Sequence, residues 1–111
     1  MNESPLFIRT YDFLLWLVPQ VQKFPRAYRF TLSEHIQRLA LDFQDSLVAA
    51  GKSKGGPRCE KLNQADVQLE QLRVWLRFSR DCKLITVRQY EHAIRQLREV
   101  GNMLGAWLKQ V

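Results

Sequence analysis

Apolar residues crowd the first twenty positions with no polar face to match them: Leu6, Phe7, Ile8, Phe13, Leu14, Leu15, Trp16, Leu17 and Val18. That density without alternation predicts a helix from about 5 to 22, opened by Pro5, whose missing N–H costs little in a first turn. Pro19 is expected to kink it or end its regular part. A second stripe, Leu32, Ile36, Leu39, Ala40, Phe43, Leu47 and Ala50, recurs at helical spacing and predicts a helix from about 32 to 50. Thr31 and Glu34 form a T-x-x-E capping box before it, and Gly51 stops it.

The third segment, about 62 to 82, is amphipathic twice. Leu62, Ala65, Leu69, Leu72 and Leu76 fall on one flank, while Val67, Val74, Trp75, Phe78 and Cys82 fall nearly opposite. One flank suits a core and the other a second partner. Arg73, Arg77 and Arg80 lie between them at i, i+4 and i+7. The fourth segment, about 86 to 109, opens on a T-x-x-Q box at Thr86 and Gln89. It then carries a heptad stripe of Val87, Tyr90, Ile94, Leu97, Gly101, Leu104 and Leu108. Gly101 and Gly105, costly inside a helix by about 1 kcal/mol each, imply a close neighbour. Nothing reads as a strand. The expectation is an all-α, up-down-up-down antiparallel four-helix bundle formed as one domain over 1–111.

Composition narrows the function. The 17 Lys and Arg against 11 Asp and Glu give a net charge of +6 and a pI near 9.8, which favours a polyanionic partner. The apolar run Phe13 to Val18 is too short to span a bilayer and lacks signal-peptide flanks, so a cytoplasmic protein without a membrane partner is expected. Cys59 and Cys82 lack a CxxC spacing and read as reduced thiols.

Enzymatic chemistry finds little support. His35 and His92 are isolated, with no second ligand at helical spacing, so no metal or cofactor is expected. Cys59 has no histidine placed as its base. Gly51-Lys52-Ser53 mimics the end of a phosphate-binding loop, but the preceding residues are helical and no strand leads into them.

Basic groups are the stronger signal. Arg73, Arg77 and Arg80 offer phosphate contacts; their bland alternative is a salt-bridged face with Asp66 and Glu70. Lys52, Lys54 and Arg58 sit in a flexible, glycine-rich loop that could track a phosphate backbone. Arg26 and Arg29, with Lys23, interleave with Phe24, Tyr28 and Phe30, a combination able to pair phosphates and stack bases. For Phe24 and Phe30 a core position is the favoured reading. On the fourth helix Glu91, Arg95 and Glu99 suggest local pairs. Trp75, Phe78, Val74 and Trp16 exceed what one small core can hold, which predicts an oligomer interface.

Four stretches carry a family likeness: Tyr11 to Pro19; Phe24-Pro25-Arg26 with Arg29 to Leu32; Leu72 to Arg77; and Val100 to Leu108. They resemble the accessory variability determinants of diversity-generating retroelements. Those four-helix bundles are similar in turn to proteins encoded in intervening sequences of bacterial 23S ribosomal RNA genes. The resemblance implies a non-enzymatic homopentamer with a basic surface that binds RNA or DNA and a reverse transcriptase, supporting mutagenic copying of a template RNA. Arg73 and Arg77 match the family pattern most closely among the basic residues. The alternative is an oligomeric protein-interaction bundle of the intervening-sequence type, without a retroelement role.

Overall fold

A computed structural model describes residues 4–111, and the structural statements below concern those residues. Four helices form: α1 Pro5–Gln22, α2 Glu34–Gly51, α3 Gly55–Asp81 and α4 Val87–Leu108. A 3-10 turn, Arg26–Tyr28, and a π-helical turn, Arg29–Ser33, join α1 to α2. Each helix packs against its two neighbours around a square, α1 with α2 and α4, and α3 with α2 and α4. The described residues measure 43 × 25 × 22 Å, and the long dimension is that of α3, whose 27 residues span about 40 Å.

The core follows the stripes of α2 and α3. Ile36, Leu39, Ala40, Phe43, Leu47 and Ala50 are buried against Leu62, Ala65, Leu69, Leu72 and Leu76, with Leu6, Phe13, Leu17 and Val21 from α1 above them. Pro19 does not end α1, which runs on to Gln22. Ser4 caps α1 through Oγ, which accepts from the Phe7 amide at 3.4 Å.

On α4 the stripe is rotated from the expected heptad. The buried positions are Ala93, Leu97, Val100 and Leu104, while Val87 is 62% exposed. Leu97 and Leu104 belong to both rows, and Ala93 and Val100 take the remaining inner positions. Tyr90 and Leu108 pack, partly buried, against the core. The Thr86 box forms as expected, with the Gln89 amide donating to Thr86 Oγ1 at 3.0 Å and the Thr86 amide to Gln89 Oε1 at 2.8 Å.

The Thr31 box does not form. Helical backbone is already established at Arg26, so the amides at the start of α2 have partners and leave Thr31 nothing to cap. Thr31 Oγ1 instead donates to the Tyr28 carbonyl at 3.5 Å. Ser33 fixes this corner: its Oγ donates to the Val21 carbonyl of α1 at 2.9 Å, and Gln37 Nε2 donates to Ser33 Oγ at 3.1 Å.

The expected flexible loop over 52–58 contracts to Lys52–Lys54, because α3 begins at Gly55. Pro57 sits in the first turn, where its lost donor is harmless, and Gly55 adopts φ 60° to reverse the chain after α2. Arg58 anchors the reversal. Its Nε donates to the Ala50 carbonyl at 2.9 Å, which also accepts from the Ser53 amide, and its Nη2 to the Gly51 carbonyl at 3.4 Å, at the end of α2. The same guanidinium lies 5.6 Å from the Trp107 ring centroid. Arg58→Ala is therefore expected to destabilise the bundle by about 1 to 2 kcal/mol. A lower urea midpoint with an unchanged slope would show it, and Arg58→Lys should recover less than half.

At its other end α3 closes in a Schellman motif, with the Leu84 amide donating to the Ser79 carbonyl at 2.8 Å and the Lys83 amide to the Arg80 carbonyl at 2.9 Å. Lys83 holds φ 61° to do so. A side chain is strained there, so Lys83→Gly should stabilise by about 0.5 to 1 kcal/mol after the entropy of glycine in the unfolded chain is deducted. A melting temperature that fell instead would contradict this account of the turn.

Candidate functional site

Up-down topology decides which basic groups share an end. The 23–33 connector and the 82–86 turn both lie where α1 ends and α4 begins, an adjacency marked by Gln89 Nε2 donating to Gln20 Oε1 at 3.3 Å. Lys23, Arg26, Arg29, Arg77, Arg80, Lys83 and Arg88 therefore gather at one end of the bundle. Lys52, Lys54 and Arg58 lie at the other, about 27 Å away along the 18 residues of α2.

The arginine strip of α3 divides by what each guanidinium touches. Arg73 crosses to α4: Nη2 donates to the Leu97 carbonyl at 3.3 Å and Nη1 to Glu70 Oε1 at 3.0 Å. A methyl group on Gly101 would stand 2.8 Å from Arg73 Nη2 and 3.3 Å from Leu69 Cδ2, so the glycine makes room for this crossing. Nothing comparably close faces Gly105. Arg80 donates to Asp81 Oδ1 at 2.8 Å and lies 4.5 Å from the Tyr90 ring centroid. Arg77, between them, is exposed. Arg73 is thus largely engaged within the bundle, and Arg77 is the strip's open cation.

Lys23, Arg26, Arg29 and Arg77 are all exposed, and none has a carboxylate within ion-pair distance among the described residues. Lys52 and Lys54 are exposed at the opposite end, whereas Arg58 is bound to α2. The pairs expected along α4 are replaced by one between helices, since Glu99 takes Arg9 of α1. Phe24 is buried as expected, but Phe30 is 77% exposed. Leu32 occupies the core, and two residues earlier on a helical turn points to the opposite side.

The tryptophans are drawn inward. Trp16 packs 4.7 Å from the His92 ring and 6.1 Å from Phe13, and Trp75 meets His35 edge-on at 5.7 Å. Both are only partly buried, and both rest on their own core. Val74 and Phe78 are exposed at 41% and 45%, and with Val67 they form a ridge along α3. The excess apolar surface expected on the first helix forms a second face. Tyr11, Leu14, Leu15, Val18, Pro19 and Leu41 line a cleft of about 420 Å³ between α1 and α2. Ile8 and Val48 continue it by heptad spacing, and Gln44 Oε1 lies buried in its wall without a donor among the described residues. The all-round apolar character of α1, which one interior cannot absorb, points to such a face, but the contribution of Leu41 and Gln44 from α2 depends on how the two helices pack.

No group of three or more His, Cys, Asp or Glu residues that could hold a metal occurs among the described residues. Ser46, where a phosphate-binding loop would need its first glycine, is buried inside α2 with Oγ donating to Gln68 Oε1 at 2.8 Å. Cys59 and Cys82 lie on α3 and at its cap, about 35 Å apart along the helix, too far to bridge within one chain. No helix among the described residues is long and apolar enough to cross a membrane.

Comparison with known proteins adds a lineage. The family model for bAvd-like proteins matches residues 6–111. A crystal structure of a protein of unknown function from the S23 ribosomal protein family of Bacteroides thetaiotaomicron VPI-5482 superposes with a TM-score of 0.85. The match is at 20% identity and covers 94% of this chain and 95% of that one. At that identity the likeness speaks for the fold alone. No curated protein matches.

Proposed function

Since the chain belongs to the bAvd-like family, we propose that it is a non-enzymatic accessory protein of a diversity-generating retroelement. In this reading it binds template RNA or its cDNA and docks the partner reverse transcriptase, which carries the polymerisation chemistry. The observation that carries it is the clustering of open cations at one end of the bundle, Lys23, Arg26, Arg29 and Arg77, with Lys83 and Arg88 beside them. Clustered cations bind phosphates by releasing counterions, with little demand on sequence.

Self-association strengthens such a site, because each added copy multiplies a weak patch into avidity. Two different apolar surfaces on one protomer suit a closed ring, whose contacts are head-to-tail, better than a two-fold dimer, which pairs one patch with itself. The α3 ridge of Val67, Val74 and Phe78 would enter the α1–α2 cleft of the next copy, lined by Tyr11, Leu15 and Leu41. Five copies is the number the family resemblance implies, and it leaves the basic ends side by side on one rim.

The test is binding of single-stranded RNA and DNA across a salt series. The expected result is affinity at physiological salt, near indifference to sequence, and a log-log slope of about −2 or steeper, from three or more phosphate contacts per site at about 0.7 each. Absence of binding at physiological salt would contradict the reading.

A further inference from the structure

Phe30 is the most exposed large apolar side chain among the described residues, at 77%. It stands on a rigid corner rather than a loose loop. Leu32 and Phe24 on either side are buried, and Ser33 ties the turn to α1 through the Val21 carbonyl at 2.9 Å. The backbone that carries the ring is already held, so binding has only the two side-chain torsions left to order.

The charges around it are not symmetric. Lys23, Arg26 and Arg29, without acidic partners among the described residues, lie on the connector side. On the α2 side Phe30 lines a cleft of about 480 Å³ of mixed charge, where Arg29 and Arg38 lie among Glu34, Asp42 and Asp45. The unopposed positive charge is therefore on the connector side. A base lying on the ring would keep its charged backbone over the connector cations.

We propose that Phe30 is a stacking platform for an unpaired base, so that this corner takes single-stranded nucleic acid rather than a duplex. The proposal rests on the nucleic-acid reading above and adds the strand state. A duplex buries its base faces against one another and offers the ring nothing, whereas every unpaired base has a free π-face.

The experiment measures fluorescence anisotropy of labelled twelve-nucleotide strands of mixed adenine and cytosine, of thymine alone, and of a duplex, with the full chain and its Phe30→Ala and Phe30→Trp variants. Phe30→Ala should weaken binding of the adenine and cytosine strand by about 5- to 100-fold, the range for loss of one stacked base. The salt slope and duplex binding should stay unchanged. Phe30→Trp should bind as well as the native chain, and the thymine strand should show the same loss on Phe30→Ala as the mixed strand.

Equal binding of single strands by the native chain and Phe30→Ala would overturn the proposal while leaving the nucleic-acid reading intact. So would an equal loss for single strand and duplex, or a fall in molecular mass, which would place Phe30 at a subunit seam. Failure of the native chain to bind any strand would overturn the nucleic-acid reading itself, and the proposal with it.

Discussion

Substituting Arg26, Arg29 and Arg77 together with glutamine is expected to lower single-strand affinity by about 10- to 100-fold at physiological salt and to flatten the log-log salt slope by about 2, from three lost phosphate contacts. All three side chains are exposed and lack ion-pair partners among the described residues, so their loss leaves the fold unstrained. The matching change at the opposite end, Lys52→Gln with Lys54→Gln, should cost less than about 3-fold, because a site at one end of the helices does not reach the other. Equal losses from the two sets would mean that charge acts only through its total. Arg73 is left out of the set because its guanidinium binds the Leu97 carbonyl of α4, and removing it would mix a packing defect with lost affinity.

The second large effect is on assembly. Leu15→Glu in the α1–α2 cleft and Phe78→Glu on the α3 ridge are each expected to convert the oligomer into monomers of unchanged helicity, since both positions are exposed in the single chain, at 61% and 45%. Mixing the two variants gives the sharper result. Each retains one intact half of a head-to-tail contact, so an equimolar mixture should form a dimer and stop there. Light scattering reads this directly. A native chain that is monomeric at all concentrations, or a mixture that stays monomeric, would refute the ridge-in-cleft contact.

Much of the fold was legible because α2 carries a single apolar stripe, Ile36 to Ala50, and because α3, although apolar on two flanks, has its unbroken leucine row, Leu62 to Leu76, on only one of them. The α4 stripe was less so. Leu97 and Leu104 belong both to the row of Tyr90 and Ile94 and to that of Ala93 and Val100, so the larger side chains pointed to one rotation while the helix buries the other. Two similar capping signatures had different fates because a cap acts only on open amides. Thr86 begins a helix afresh, whereas Thr31 lies inside helical backbone already running from Arg26. The start of α3 was hidden because Gly55, Gly56 and Pro57 read as a loop, although glycine and proline at a helix entrance are compatible with its first turn.

The site was legible as residue types but not as a place. Arg73 could not be seen to cross to α4, since its partners there, Leu97 and Gly101, are distant in sequence. The division into two basic ends follows from the up-down order of the helices, which puts alternate connections together and separates Lys52 and Lys54 from Arg26 and Arg29. The exposure of Phe30 could have been found from its two-residue offset from Leu32, had the connector been taken as helical.

The proposed role depends on where nucleic acid touches the chain. Photo-crosslinking of a labelled single strand to the native protein, followed by peptide mass mapping, tests it most directly. Crosslinks confined to 23–33 and 77–88 are the expected result; crosslinks concentrated at 52–61, or none at physiological salt, would contradict it.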